Sequence, residues 1–137
     1  MNTQDNVQMV QQIYAAFGRG DIPAILNTMA DGVEWHDVEW RLGPGDTLPW
    51  TLRRGRDGVA QFFQDLGGAL EVLGFEPKEF IAQGEKVVAL GSVQARVKST
   101  GRTFDDNWAM VWTFGGDKVV GFRIYHDTGA IAAAFRG

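Results

Sequence analysis

Two His-Asp dipeptides are the first candidates for chemistry: His36-Asp37 and His126-Asp127. The chain holds 2 histidines and no cysteine. A cysteine nucleophile, a thiolate metal site and a disulfide framework are therefore excluded. Imidazole beside carboxylate suits proton transfer near neutral pH. It also invites a metal, but neighbours on a strand face opposite sides, so each dipeptide offers only one ligand to a common centre. No HExxH-type helical spacing occurs, and the glycines form neither GxGxxG nor a phosphate loop. No metal and no cofactor are expected. Tyr14 and Asp106 complete the set of polar candidates: Tyr14 could point its hydroxyl into a pocket, and Asp106 stands at the start of an aromatic strand.

The aromatic content is high for 137 residues, with 9 Phe, 5 Trp and 2 Tyr. Such a surplus lines a ligand cavity or an interface, although core filling accounts for much of it. Trp35, Trp50, Phe62, Asp106, Trp108, Met110 and Trp112 are the expected substrate-contacting residues. With 13 Lys+Arg against 17 Asp+Glu the chain is mildly acidic, a poor match for a polyanion. The run Arg53-Arg54-Gly55-Arg56 reads as a solvated loop face, and no nucleic acid is expected. No apolar run approaches the ~20 residues of a membrane span. The polar N-terminus lacks a signal pattern, so a cytoplasmic protein without membrane contact is expected.

The elements that must position these groups follow from periodicity. Val7, Val10, Ile13, Tyr14 and Phe17 fall on one helical face, ended by Gly18 and Gly20. Asp21 suits the N-cap of a second short helix, with Pro23 in its first turn. Asp31-Gly32 reads as a turn before a strand over 33–40, and residues 41–55 read as a long loop with Trp50 as a lid anchor. Asp57 can cap a third helix whose stripe runs from Val59 through Phe62, Phe63 and Leu66 to Leu70 and Leu73. Gly67-Gly68 suggests a bend within it. Strands are expected over Phe75–Ala82, Lys86–Lys98, Phe104–Phe114 and Val119–His126, the last two joined by a hairpin around Gly115-Gly116-Asp117-Lys118. Gly129–Phe135 can form a short terminal helix. This order gives a single α+β domain over 1–137, a curved, mostly antiparallel sheet with three N-terminal helices on one face.

Strand parity then sorts the side chains. Val33, Trp35 and Asp37 share a face, as do Asp106, Trp108, Met110, Trp112 and Phe114, and Phe122, Ile124 and His126. An aromatic pocket between sheet and helices follows. Asp127 falls on the other face, within reach of the rim if the strand end twists.

Three segments resemble the SnoaL-like polyketide cyclase and ketosteroid isomerase-related family of the nuclear transport factor 2-like fold. They are Ala15-Ala16-Phe17 through Glu34-Trp35, Gly55-Arg56-Asp57-Gly58-Val59 with Phe62-Phe63, and Thr100-Gly101-Arg102-Thr103-Phe104 through Tyr125-His126-Asp127-Thr128. The resemblance implies a cone: a strongly curved sheet around a pocket, with the helices packed on its concave face and homodimers formed through the outer sheet face. Ketosteroid isomerase pairs a carboxylate base with an oxyanion hole of tyrosine and protonated aspartic acid. An ungapped comparison puts Asp37 on the base position, Ile13 (followed by Tyr14) on the tyrosine position, Met110 on the acidic-donor position and His126 on the last-strand aromatic position. In SnoaL-like cyclases the matching base is Asp127, which could equally cap the terminal helix. The implied catalytic set is Asp37, His126, Asp127 and Tyr14. The implied activity is cofactor-free acid–base catalysis, of isomerase, cyclase or hydrolase type, on a small hydrophobic carbonyl or polyketide-like ligand. The alternatives are a non-catalytic binder of such a ligand and a dimerisation module.

Overall fold

The computed structural model describes residues 2–40 and 50–136. Helix α1 (Thr3–Gly18) begins at Asn2, whose side chain accepts the Asp5 N–H at 2.8 Å. That cap starts the helix four residues ahead of its apolar stripe. Asp21 caps α2 (Ile22–Leu26) through the Ala24 N–H at 3.2 Å. Strand β1 (Met29–Val38) runs straight through Asp31-Gly32, where a turn is expected. The chain bulges there instead, and the register against β6 shifts between Met29 and Glu34.

Most of the expected 41–55 loop (residues 41–49) lies outside the described residues. Its end is a strand, β2 (Trp50–Arg54), paired antiparallel with β1. Helix α3 spans Gly55–Ala69, so Asp57 sits in its first turn rather than at its cap. The helix stops at Gly67-Gly68-Ala69. Leu70 and Leu73, expected on its stripe, open strand β3 (Leu70–Gln83), where Leu70 pairs with Val97. Two adjacent glycines weaken the last helical turn enough for strand pairing to win.

Strands β4 (Lys86–Val97), β5 (Thr103–Gly115) and β6 (Lys118–Tyr125) follow, and α4 (Thr128–Phe135) closes the chain. The β5–β6 hairpin turns through Gly116-Asp117, with Gly116 at φ 63°, a conformation that favours glycine. The sheet order is β2-β1-β6-β5-β4-β3. Among the described strands only β1 and β6 pair in parallel. This is the expected α+β arrangement of N-terminal helices on a mostly antiparallel sheet, with β2 as a sixth strand where the sequence predicts a loop. Helix α3 packs on β1 and β2, α1 on β3 and β4, and α4 on β5. Burial in β5 alternates strictly from Phe104 to Phe114, which aims Asp106, Trp108, Met110 and Trp112 at the core. No helix among the described residues is long and apolar enough to cross a membrane.

Candidate functional site

The strand order decides the chemistry. Strand β6 lies between β1 and β5. His126, one residue past β6, therefore sits between an aspartate on each flanking strand. Its Nε2 is 2.7 Å from Asp37 Oδ1 and its Nδ1 is 2.5 Å from Asp106 Oδ2. All three side chains are buried: Asp37 is 4% exposed, Asp106 1% and the His126 side chain 5%. Asp106 is held in turn by the Asp127 N–H, which donates to Oδ1 at 2.6 Å. The Val38 N–H donates to Asp37 Oδ1 at 2.5 Å. Both hydrogen bonds to Asp37 thus end on Oδ1, and Oδ2 has no partner among the described residues.

Burial is the largest influence on the His126 ring and opposes its charged form. The Asp37 charge and the hydrogen bonds to Asp106 and Asp37 outweigh it and push the pKa up from 6.5 to about 9. At neutral pH the ring is then an imidazolium donating from both nitrogens, bound on each side by a carboxylate. Trp40 meets it edge-on with ring centres 5.6 Å apart, and Trp50 lies 6.1 Å away on a tilted plane.

Asp37, Asp106 and His126 line a cavity of about 100 Å³ between sheet and helices. Of the expected contact residues, Trp35, Phe62, Trp108, Met110 and Trp112 line it, and so does Tyr14. Trp50 and Asp127 do not. Trp50 is 46% exposed on β2 and pairs with Val38. Asp127 is an exposed residue at the N-cap position of α4, yet its side chain makes no capping bond. It serves the site through its backbone N–H alone. His36, the partner of Asp37 in its dipeptide, is half-buried with the opposite parity. Among the described residues no group of three or more His, Asp or Glu side chains is arranged to hold a metal ion.

Tyr14 stands at another wall. Its hydroxyl accepts the Trp112 Nε1–H at 3.0 Å and donates to Met110 Sδ at 3.2 Å. Burial drives the Tyr14 pKa far above its ordinary value, only partly offset by the Trp112 bond, so the group remains a donor at any working pH. A thioether is a weak acceptor, and a ligand oxygen would displace it easily.

Trp40 is a cavity residue that sequence patterning does not single out. It follows two consecutive buried or half-buried positions, Val38 and Glu39, so the alternation that marks Trp35 and Asp37 has already ended. Its indole stacks on Phe135 of α4 at 6.2 Å, a contact between distant parts of the chain that no local pattern encodes.

Residues 10–122 match the SnoaL-like domain family. The chain belongs to that family. A nuclear transport factor 2-like protein from Burkholderia xenovorans LB400 is 40% identical, matches over 99% of both chains and superposes with a TM-score of 0.84. A second, from Burkholderia pseudomallei K96243, is 27% identical over 100% of both chains with a TM-score of 0.83. TerC, co-crystallised with polyporic acid, is 26% identical over 97% of this SnoaL-like chain and 99% of its own, with a TM-score of 0.78. No curated protein matches this SnoaL-like chain.

Proposed function

We propose that this SnoaL-like protein binds a small hydrophobic carbonyl compound in the cavity and moves a proton on the carbon beside the carbonyl. The observation that carries this is the buried Asp37–His126–Asp106 chain set into an otherwise aromatic and aliphatic wall. Asp37 Oδ2 takes the proton. The C–H electron pair moves into the carbon–carbon bond, and the carbonyl oxygen becomes an enolate oxygen. Tyr14 donates to that oxygen in place of Met110 Sδ. The His126 imidazolium holds Asp37 through Oδ1 and fixes its orientation; Asp106 holds the imidazolium. With a β,γ-unsaturated ketone, returning the proton from Asp37 to the γ carbon of the dienolate completes an isomerisation; with a second carbonyl in the ligand, attack by the enolate carbon closes a ring and the Asp37 proton passes to the new alkoxide oxygen. A dry aromatic wall strengthens each of these hydrogen bonds as charge develops. Binding of small ligands by relatives fits this reading: TerC was crystallised with polyporic acid.

The size of the space sets the substrate class. At about 100 Å³ it is on the scale of the ~150 Å³ apolar cavity that accommodates benzene, so a single ring or a short chain fits. A second reading is a binder without turnover. It is favoured by one detail: both imidazole nitrogens are held by carboxylates, leaving no ring N–H to protonate a ligand.

Cyclic ketones added in deuterated buffer decide between the two. Turnover predicts deuterium at the carbon beside the carbonyl with wild-type protein, and none above background with Asp37→Asn that still binds the ketone. Binding without exchange in the wild type establishes the binder, and binding by neither protein refutes both.

A further inference from the structure

Arg53 belongs to a basic run that the sequence reads as a solvated face, yet its side chain is only 12% exposed. It stands on β2 directly across from Trp35, on the face against which α3 packs. Its Nη2 donates to Glu39 Oε1 at 2.9 Å and to Asp65 Oδ2 at 2.7 Å. Glu39 is the residue after β1 and Asp65 lies on α3; their side chains are 13% and 8% exposed. The guanidinium carbon lies 6.0 Å from the centre of the Phe62 ring. One cation and two carboxylates thus join β1, β2 and α3 below the surface.

Such a cluster is a poor source of stability. Taking charges out of water costs about as much as their attraction returns, and apolar side chains of similar volume do as well. Here the offset is incomplete, because Arg53 Nε is buried without an acceptor among the described residues. What charged hydrogen bonds supply instead is a fixed geometry, which apolar contacts of the same area do not impose.

The segment they fix carries Asp37. Trp35 and Asp37 share one face of β1 and pair with Arg53 and Thr51 of β2. Arg53 is level with Trp35, and Glu39 lies four residues farther along the chain, so the bond between them spans the position of Asp37. The described β1–β2 pairing ends at Val38 and Trp50, and this bond carries the attachment one residue farther. Glu39 is also flanked by the two residues that touch the proton-transfer chain: the Val38 N–H holds Asp37 Oδ1, and Trp40 abuts His126. Asp65, at the other end, lies on the helix that presents Phe62, Phe63 and Leu66 to the cavity.

We infer that Arg53 is a positioning residue for proton transfer: by holding Glu39 and Asp65 on one nitrogen, it fixes where the Asp37 segment stands against the α3 wall of the cavity. Arg53 acts through these two partners and is not itself among the cavity-lining residues. This role rests on Asp37 being the base, as proposed above.

The test compares the wild type with Glu39→Gln/Arg53→Met, which removes one positive and one negative charge and leaves the net charge unchanged. Adding Asp65→Asn gives a triple variant that carries the same measurement if the unpaired Asp65 carboxylate prevents folding. Arg53→Lys is the rescue, since both bonds leave a single nitrogen. Deuterium uptake by cyclohexanone gives kcat and KM, each per folded molecule as measured by circular dichroism. The expected result is a kcat lower by about 10²-fold, the cost of a misplacement of about 1 Å, with KM within a few-fold of the wild type. Arg53→Lys recovers a kcat several-fold above that of the double or triple variant. A folded variant that exchanges at the wild-type rate overturns the inference and leaves Asp37 as the base. A raised KM at unchanged kcat also overturns it, and assigns the cluster to the shape of the cavity alone. Absence of exchange in the wild type overturns the proton-transfer reading and this role together.

Discussion

Replacing Asp106 by Asn tests the charge state on which the site depends. In the wild type the His126 pKa is raised from 6.5 to about 9. A folded-state value above the unfolded one stabilises the fold fully below pH 6.5, and the contribution is lost as pH rises through the folded pKa. At about 1.36 kcal/mol per pH unit the contribution is about 3 kcal/mol, declining across pH 6.5–9 and gone above it. In Asp106→Asn the amide oxygen keeps the Asp127 N–H, and the amide NH₂ faces His126 Nδ1. Two donors cannot share that contact, so Nδ1 must give up its proton and accept, which makes the ring neutral. The variant is therefore destabilised most in mildly acidic buffer, and its deficit shrinks by about 3 kcal/mol between roughly pH 6 and pH 9.5. Denaturant titrations of both proteins across that range measure the slope, and NMR of the ring C–H signals of His36 and His126 measures the pKa directly. A wild-type His126 that titrates near 6.5, or parallel stability curves for the two proteins, would refute the reasoning.

Four further substitutions probe separate contacts. Asp37→Asn removes the base and should lower proton exchange by about 10²–10⁴-fold while leaving ketone affinity within a few-fold; competition binding and deuterium uptake check both. Tyr14→Phe leaves the buried Trp112 N–H without its acceptor and should cost about 1–3 kcal/mol in a denaturant titration. Gly91→Ala would set a Cβ 2.5 Å from Trp108 Cζ2 and 2.4 Å from the Glu76 carbonyl oxygen, which forces the indole or strand β3 to move. A loss of about 1–3 kcal/mol and a shifted Trp108 N–H resonance are expected. Asp127→Ala keeps the backbone N–H that holds Asp106, so stability should change by no more than about 0.5 kcal/mol.

The sequence makes the walls of the site legible and its connections less so. Alternation over Phe104–Phe114 assigns Trp108, Met110 and Trp112 to the core because the strand is long and its hydrophobic face uninterrupted. The same parity argument places Asp37, Asp106 and His126 on inward faces. It cannot show that they touch, because contact depends on β6 lying between β1 and β5, and the β1–β6 pairing joins opposite ends of the chain. Strand β2 is hidden for a different reason: Trp50–Arg54 follows a segment rich in glycine and proline and has no alternation of its own, and only pairing with β1 makes it a strand. Leu70 and Leu73 continue the helical period of α3 by coincidence, and the glycine pair before them is the signal that the helix ends. Trp40 carries no local pattern at all.

Diffraction from crystals grown with a bromine-bearing cyclohexanone tests the central claim most directly, since bromine marks its own position by anomalous scattering. The predicted result is a bromine peak inside the cavity bounded by Tyr14, Trp108 and His126, with the carbon beside the carbonyl about 3–3.5 Å from Asp37 Oδ2. Peaks only on the outer surface, with the cavity closed by its own side chains and Asp37 out of reach of any ligand atom, would contradict it.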